Sequence, residues 1–244
     1  MISKSQRDII KNKVLKKFSE LYLDRNANNI KKYQKKDNSL VTEVDLFVSD
    51  LVKKELSRMS DFNFYSEEDH GGLEFPSLIL DPIDGTQGLS KGLAECSISL
   101  AIMKNCNIDD GWGWIFNPFT GFEICSEDPF FPAINYQESV LSGLVSRSEW
   151  DKGLYEEESS DSRLFLAPKG SIALKLGYLA SGACEFVVSK KPKNIWDIAA
   201  GTILCQQRGI RLFIGKEAQD RLDGERQESP LIWCREENLN RIWD

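Results

Sequence analysis

The chain has 244 residues, 41% hydrophobic and 28% charged, with a net charge of −7, enough for one large domain or two fused halves around a buried core. The acidic balance excludes a general nucleic-acid binder, which needs a basic footprint, and no apolar run approaches the roughly 20 residues of a membrane span. One histidine, His70, is all that the chain offers to a catalytic triad, a zinc site or phosphohistidine chemistry.

In chain order, the start MISKSQRDIIKNKVLKKF lacks the apolar centre and cleavage site of a signal peptide, so a cytoplasmic protein is expected. Ile9, Ile10, Val14, Phe18 and Leu21 recur at helical spacing and predict an amphipathic helix over 1–33. A polar turn follows over 34–41. A second helix is expected over 42–60 from Val44, Phe47, Val48, Leu51, Val52 and Leu56. Phe62–Tyr65 reads as a short strand ending in Ser66-Glu67-Glu68-Asp69, and the Asp69-His70-Gly71-Gly72 loop leaves His70 a solvent-exposed side chain. Ser77–Leu80 is a strand running into Asp81-Pro82-Ile83-Asp84-Gly85-Thr86. Residues 95–104 and 111–126 read as paired strands, with turns at Asp109-Asp110-Gly111 and Asn117-Pro118.

Prolines and polar residues over 127–138 suggest a boundary between an N-terminal half, 1–130, and a C-terminal half, 131–244. A strand over 139–145 leads to Ser146-Arg147-Ser148. The Glu156-Glu157-Glu158 tract is a solvated loop or helix face. A helix over 171–181, a strand over 184–188 and a helix beginning near Asp197 follow. Hairpins mixed with helices predict an α+β or layered sandwich rather than a doubly wound parallel sheet. Six scattered cysteines form no C-x-x-C pair, which points to buried free thiols.

The strongest local feature is Asp81-Pro82-Ile83-Asp84-Gly85-Thr86. Pro82 disfavours helix at Asp81 and Gly85 permits a tight turn, so two carboxylates and the Ile83 carbonyl can converge. Such oxygen-only ligation suits Mg²⁺, and backbone N–H groups of Gly85 and Thr86 would face a phosphate if a helix starts there. An Asp-Pro turn followed by a helix cap explains the same string. Glu67-Glu68 after a strand and Asp197 at a helix start each have a plain structural reading, but all three acidic points together are hard to explain by coincidence. Thr42-Glu43-Val44-Asp45 has the form of a capping box, and Asp45 is also a candidate base for an activated water. The D-x-x-D-G-T spacing is one residue longer than the D-x-D-x-T of haloacid-dehalogenase-type phosphatases, which argues against an aspartyl-phosphate mechanism.

Together, T-E-V-D at 42–45, E-E at 67–68, D-P-I-D-G-T at 81–86 and W-D-I-A-A-G at 196–201 resemble the inositol monophosphatase superfamily. The resemblance implies a layered αβαβα sandwich of the inositol monophosphatase and fructose-1,6-bisphosphatase type, two or three Mg²⁺ ions, and hydrolysis of a small phosphomonoester. It implies that Glu67, Asp81 and the Ile83 carbonyl form one metal site, and Asp81, Asp84 and Asp197 a second. Glu68 would hold water or support the ligands, Asp45 and Thr86 would activate the attacking water, and Gly85-Thr86 would cradle phosphate.

Within the superfamily the chain is most similar to bacterial 3′(2′),5′-bisphosphate nucleotidases, through Lys35-Lys36-Asp37-Asn38-Ser39-Leu40-Val41-Thr42, Ser146-Arg147-Ser148, Asn194–Asp197 and a helix lysine at Lys175. That likeness implies conversion of adenosine 3′,5′-bisphosphate to AMP and phosphate, with Lys175 at the position of the family's helix lysine. Lys190, Lys191 and Lys193 lie just before Asp197, where they can meet a second phosphate or simply form a solvated turn, and Arg147 can pair bidentately with phosphate or be a plain surface arginine. The chain departs from the likeness in a short loop over 69–77, in Gln87-Gly88-Leu89 and in Arg208-Gly209-Ile210, none of which touches a proposed metal ligand. An inositol or other small sugar phosphate is the alternative substrate, and a catalytically weak regulatory binding protein of the same fold the alternative class. Lithium inhibition and a homodimer are further implications of the resemblance.

Overall fold

Ile10, Val14 and Phe18 lie on one stripe of a first helix, α1 (Lys4–Tyr22), and all three are buried, as side chains four residues apart on one face should be. Ile9 is 40% exposed and lies off that stripe. The computed structural model describes residues 1–22, 31–34, 40–69, 71–130 and 140–243. The expected helix therefore does not reach 33: β1 (Lys32–Gln34) pairs antiparallel with β2 (Leu40–Thr42), which meets the backbone hydrogen-bonding demand in a ladder instead. Residues 35–39 and His70 lie outside the described residues, and with them the centre of the expected 34–41 turn, the stretch from Lys35 to Ser39 and the loop histidine.

The second helix, α2 (Glu43–Glu55), is shorter than expected and stops at a Leu56 cap. Five strands then form the first sheet, in chain order: β3 (Asn63–Ser66), β4 (Ser77–Asp84), β5 (Ser97–Met103), β6 (Trp112–Phe116) and β7 (Glu123–Cys125). The β3–β4 pair is parallel and the rest antiparallel. A short helix, α3 (Thr86–Ser90), joins β4 to β5.

The second sheet is built from β8 (Leu141–Ser146), β9 (Leu164–Lys169) and β10 (Phe186–Ser189), with helices α4 (Arg147–Trp150), α5 (Glu156–Ser159) and α6 (Ile172–Ala180) between them. After the two-residue β11 (Lys193–Asn194) come α7 (Ile195–Gln206), β12 (Arg211–Ile214), β13 (Glu217–Gln219), β14 (Arg226–Gln227), β15 (Leu231–Cys234) and α8 (Leu239–Ile242). The sheet order is β13-β12-β15-β10-β8-β9, with β8 parallel to both β9 and β10; β11 pairs separately with β14. The half boundary expected over 127–138 falls mostly at 131–139, outside the described residues.

Three apolar clusters give the layers. One face of the first sheet packs on α1 and α2 through Val14, Val48, Leu80 and Leu100. Its other face meets α6 and α7, which in turn cover the second sheet, through Ile79, Ala101, Leu176, Ala200, Val187 and Trp233. The far side of that sheet is closed by Trp150, Tyr155, Leu239 and Ile242. This is the αβαβα sandwich that the motifs imply. No helix among the described residues is long and apolar enough to cross a membrane.

Candidate active site

The acidic motifs lie at or near element ends: Glu67-Glu68 follow β3, Asp84 closes β4, and Asp45 and Asp197 sit in the first turns of α2 and α7. Strand β4 carries Ser77 to Leu80 into the core and then breaks register: Asp81 pairs with Ser99, but Asp84 with Ser97, so Pro82 and Ile83 form a bulge. Across the bulge Asp81 and Asp84 come together in one acidic group, while the Ile83 carbonyl accepts from the Thr86 hydroxyl. Gly85 follows at φ 94°, and a Cβ there would stand 2.5 Å from the Glu95 carbonyl, so this turn requires glycine.

Helix α7 brings the third carboxylate. Asp197 sits at its third position, where Oδ2 accepts from the Asn194 N–H at 3.1 Å as part of a capping box. The adjacent Trp196 ring packs on Tyr65 of β3 with centroids 5.5 Å apart, which holds the start of α7 beside the strand end that leads to Glu67. Asp81, Asp84 and Asp197 each offer an oxygen within 4.8 Å of the others. Glu67 stands outside that trio, but near enough for its charge to act on Asp81 and Asp197.

The trio is electrostatically unfavourable as bare protein. Burial first, then Glu67 and the neighbouring aspartates, push Asp81 well above the ordinary carboxylate range. Burial and Asp84 raise Asp197 to about 7. Asp84 is raised by burial against the opposing pull of Ser171, Ala173 and two lysines. Asp81 Oδ1 is buried without a hydrogen-bond partner among the described residues, which costs free energy unless something positive binds there. An all-oxygen donor set of this kind fits a hard divalent cation such as Mg²⁺.

A second arm comes from α2. Thr42 caps the helix, and Asp45 Oδ2 accepts from the Thr42 N–H at 2.8 Å and its hydroxyl at 2.5 Å. Asp45 Oδ1 faces the Thr86 hydroxyl at 3.1 Å, and the same hydroxyl lies 2.8 Å from the Ile83 carbonyl. Burial raises Asp45 to about 6, opposed by the Thr42 bonds and reinforced by Glu68. Both readings of T-E-V-D therefore hold together: Asp45 completes a cap and also faces Thr86.

A cavity of about 290 Å³ opens between Asp84, Gly85 and Asp197 on one side and the α4 and α6 starts on the other. Arg147, Lys175 and Lys193 line it, together with Lys91 and Lys169. Lys175 is 2% exposed; burial pushes its ammonium down to about 8, although Asp84 pulls the other way. Its Nζ donates to the Lys169 carbonyl at 3.1 Å. Lys190 is not on the cavity wall: its ammonium pairs with Glu158 and lies over the Tyr155 ring. A larger cleft of about 650 Å³, beside Met1, Arg7 and Glu127, lies among other residues and contains none of the trio.

Two polar residues join the site without a warning in the sequence. Ser171 adopts φ 57°, rare for a residue with a side chain. Its hydroxyl donates to Asp84 Oδ2 at 2.6 Å and accepts from the Leu174 N–H. Glu95 grips Arg147 through Nε at 2.8 Å and Nη2 at 2.5 Å, and also takes the Gly170 N–H at 2.8 Å. Neither Ala94-Glu95-Cys96 nor Lys169-Gly170-Ser171 carries a spacing that announces such a role; only the Gly-Ser step before a helical pattern hints at Ser171 as a cap.

Comparison with known proteins gives the family and the fold. The model of the inositol monophosphatase family matches residues 3–213. A fructose-1,6-bisphosphatase/inositol-1-monophosphatase of Thermotoga maritima is 29% identical over 191 residues, 73% of each chain. A fructose-1,6-bisphosphatase of Pyrococcus furiosus is 31% identical over 205 residues, 74% of this chain and 75% of its own. Among solved structures, a Thermotoga maritima IMPase superposes with a TM-score of 0.74 at 23% identity, over 94% of this chain and 92% of that one.

Proposed function

The chain belongs to the inositol monophosphatase family of metal-dependent phosphatases, and on that premise we propose that it is a Mg²⁺-dependent phosphomonoesterase whose preferred substrate is a nucleoside 3′,5′-bisphosphate. The observation that carries the metal chemistry is the convergence of Asp81, Asp84 and Asp197 around a buried, partnerless Asp81 oxygen. In this reading Glu67, Asp81, the Ile83 carbonyl, Asp84 and Asp197 would hold two or three Mg²⁺ ions. Bound there, the ions supply Lewis-acid stabilisation of the charge on the phosphoryl group and its attacking and leaving oxygens.

The protein's own groups do the rest. Thr86 Oγ1, within reach of both Asp45 Oδ1 and the Ile83 carbonyl, would receive a proton from the attacking water as it passes its own to Asp45. An Asp45 acidity near 6 leaves that carboxylate ionised, and able to accept, at neutral pH. Glu68 would support the water beside it, and Gly85-Thr86 would cradle the phosphate. Away from the metal ligands Asp84 and Asp197, the cavity wall carries Lys91, Arg147, Lys169, Lys175 and Lys193 against Glu95 and Asp151. That positive surplus supports a substrate with a second phosphate, which Arg147, Lys175 and Lys193 would meet; Lys190, paired with Glu158, has no part in it.

A sugar phosphate is the second reading, favoured by the relatives named for fructose 1,6-bisphosphate and inositol phosphate. The test is phosphate release by purified protein with Mg²⁺, comparing adenosine 3′,5′-bisphosphate, fructose 1,6-bisphosphate and inositol 1-phosphate. The expected result is a higher kcat/KM on the nucleotide. Preference for inositol 1-phosphate would overturn the bisphosphate assignment while keeping the hydrolase, and no release from any of them, despite Mg²⁺ binding, would favour a binding protein.

A further inference from the structure

The polar cluster at the seam between the two sheets centres on Glu95, which has no role in the chemistry above. Glu95 lies just before β5, half-buried, and three glycines close on it. A Cβ on Gly85 would stand 2.5 Å from its carbonyl oxygen, one on Gly88 3.3 Å from the same atom, and one on Gly170 3.0 Å from Oε2. Its carboxylate takes three hydrogen bonds, from Arg147 Nε and Nη2 and from the Gly170 N–H. Arg147, at the start of α4, also donates to the Pro168 carbonyl at 3.1 Å. Glu95 thus joins the turn after Asp84 to β9 and to the Lys169-Gly170-Ser171 turn.

That last turn is under backbone strain at Ser171, whose φ of 57° costs free energy that its surroundings must offset. In that conformation the Ser171 hydroxyl reaches Asp84 Oδ2 at 2.6 Å, with Ala173 N–H on the same oxygen at 2.6 Å. Because its proton goes to Asp84, the hydroxyl receives Ser97 Oγ as a donor at 3.0 Å. Two donors on Oδ2 thus fix the Asp84 carboxylate in the group whose oxygens lie within 4.8 Å of one another with Asp81 and Asp197. The Arg147 bonds hold the Glu95 carboxyl below its usual range, so the anchor is an anion.

We propose that Glu95 is a positioning residue for the metal site: by clamping the Gly170 N–H and Arg147 it holds Ser171 in its strained turn, and Ser171 fixes the orientation of Asp84. The proposal rests on Asp84 being a metal ligand. Partners that orient a ligand govern metal affinity by about 10- to 100-fold, and here the orienting group acts at one remove.

The experiment is Mg²⁺ binding to the substrate-free protein by calorimetry, with the Mg²⁺ dependence of phosphate release beside it, for Glu95→Gln, Ser171→Ala and the double variant. Each single variant should weaken Mg²⁺ binding about 10-fold or more while Tm in EDTA stays within a few degrees of wild type. If Glu95 acts through Ser171, the double variant should be no weaker than the worse single one, since residues in one chain of contacts do not add. Glu95→Asp, which keeps the charge, should recover part of the affinity. Unchanged Mg²⁺ affinity in Glu95→Gln, or losses that simply add, would overturn the proposal. Should Glu95→Gln fail to fold, Ser171→Ala with unchanged Mg²⁺ affinity would overturn it as well. Wild-type protein that binds no Mg²⁺ would instead overturn the metal assignment itself, and the proposal with it.

Discussion

At the scale of single residues, Asp84 has two jobs that can be separated. Its Oδ2 is held by Ser171 and Ala173, while the carboxylate as a whole adds to the charge that raises Asp81 and Asp197. Asp84→Asn keeps an acceptor oxygen for both donors and removes the charge. Folding should survive, and Tm in EDTA should equal or exceed wild type because one source of repulsion is gone. Phosphate release should fall by about 100-fold or more, a loss of roughly 2.7 kcal/mol from the several that metal stabilisation supplies. Near-normal turnover by this variant would remove Asp84 from the metal site. Asp84 was legible in the sequence because an apolar strand broken by Asp-Pro and closed by Asp-Gly leaves few places for two carboxylates to go. Ser171 and Glu95 were not, because their partners lie 87 and 52 residues away for Asp84 and Arg147, and nothing local betrays a contact of that range.

At the scale of elements, the W-D-I-A-A-G string has a packing reason beside its carboxylate. Helix α7 runs between α6 and the first sheet so closely that a Cβ on Gly201 would stand 2.4 Å from Leu176 Cβ, and one on Gly113 of β6 2.6 Å from the Ala200 carbonyl. Small residues at 199–201 permit the approach that aims Asp197 at β4. Gly201→Ala should therefore cost about 1–3 kcal/mol by overpacking, read by urea denaturation. It should also lower kcat more than a surface Gly182→Ala control, since Gly182 has open space around it though its φ of 81° carries its own strain. A stability equal to wild type would mean that the two helices have slack. Elements were readable where periodicity was strong, as in α2 and α6. The helix expected through residue 33 gave way to β1 because three-residue strands leave no period to detect and their pairing with β2 is decided in three dimensions. Strands β12 to β15 are hidden for the same reason, being only two to four residues each.

At the scale of the whole molecule, the site sets how stability depends on pH and metal. Asp45, Asp81, Asp84 and Asp197 all bind their protons more tightly in the folded chain than an unfolded aspartate does, with Asp45 at about 6 and Asp197 at about 7. The folded state therefore holds more protons than the unfolded one across that window, and stability is lost as pH rises from about 4 through 7. Carboxylates shifted the other way, such as Glu43 and Glu95, lose their contribution only as pH falls below the ordinary carboxylate range, so they do not mask the effect above pH 5. Mg²⁺ competes with the same protons and binds the folded form. At 100 times its Kd it adds about 2.7 kcal/mol, roughly 5–10 °C in Tm for a chain of this size. Scanning calorimetry from pH 5 to 8 should show Tm in EDTA falling with pH, and the gain on adding Mg²⁺ growing over the same interval. A gain that is flat across those pH values, or a metal-free Tm that climbs, would mean that the ion binds somewhere other than among Asp81, Asp84 and Asp197.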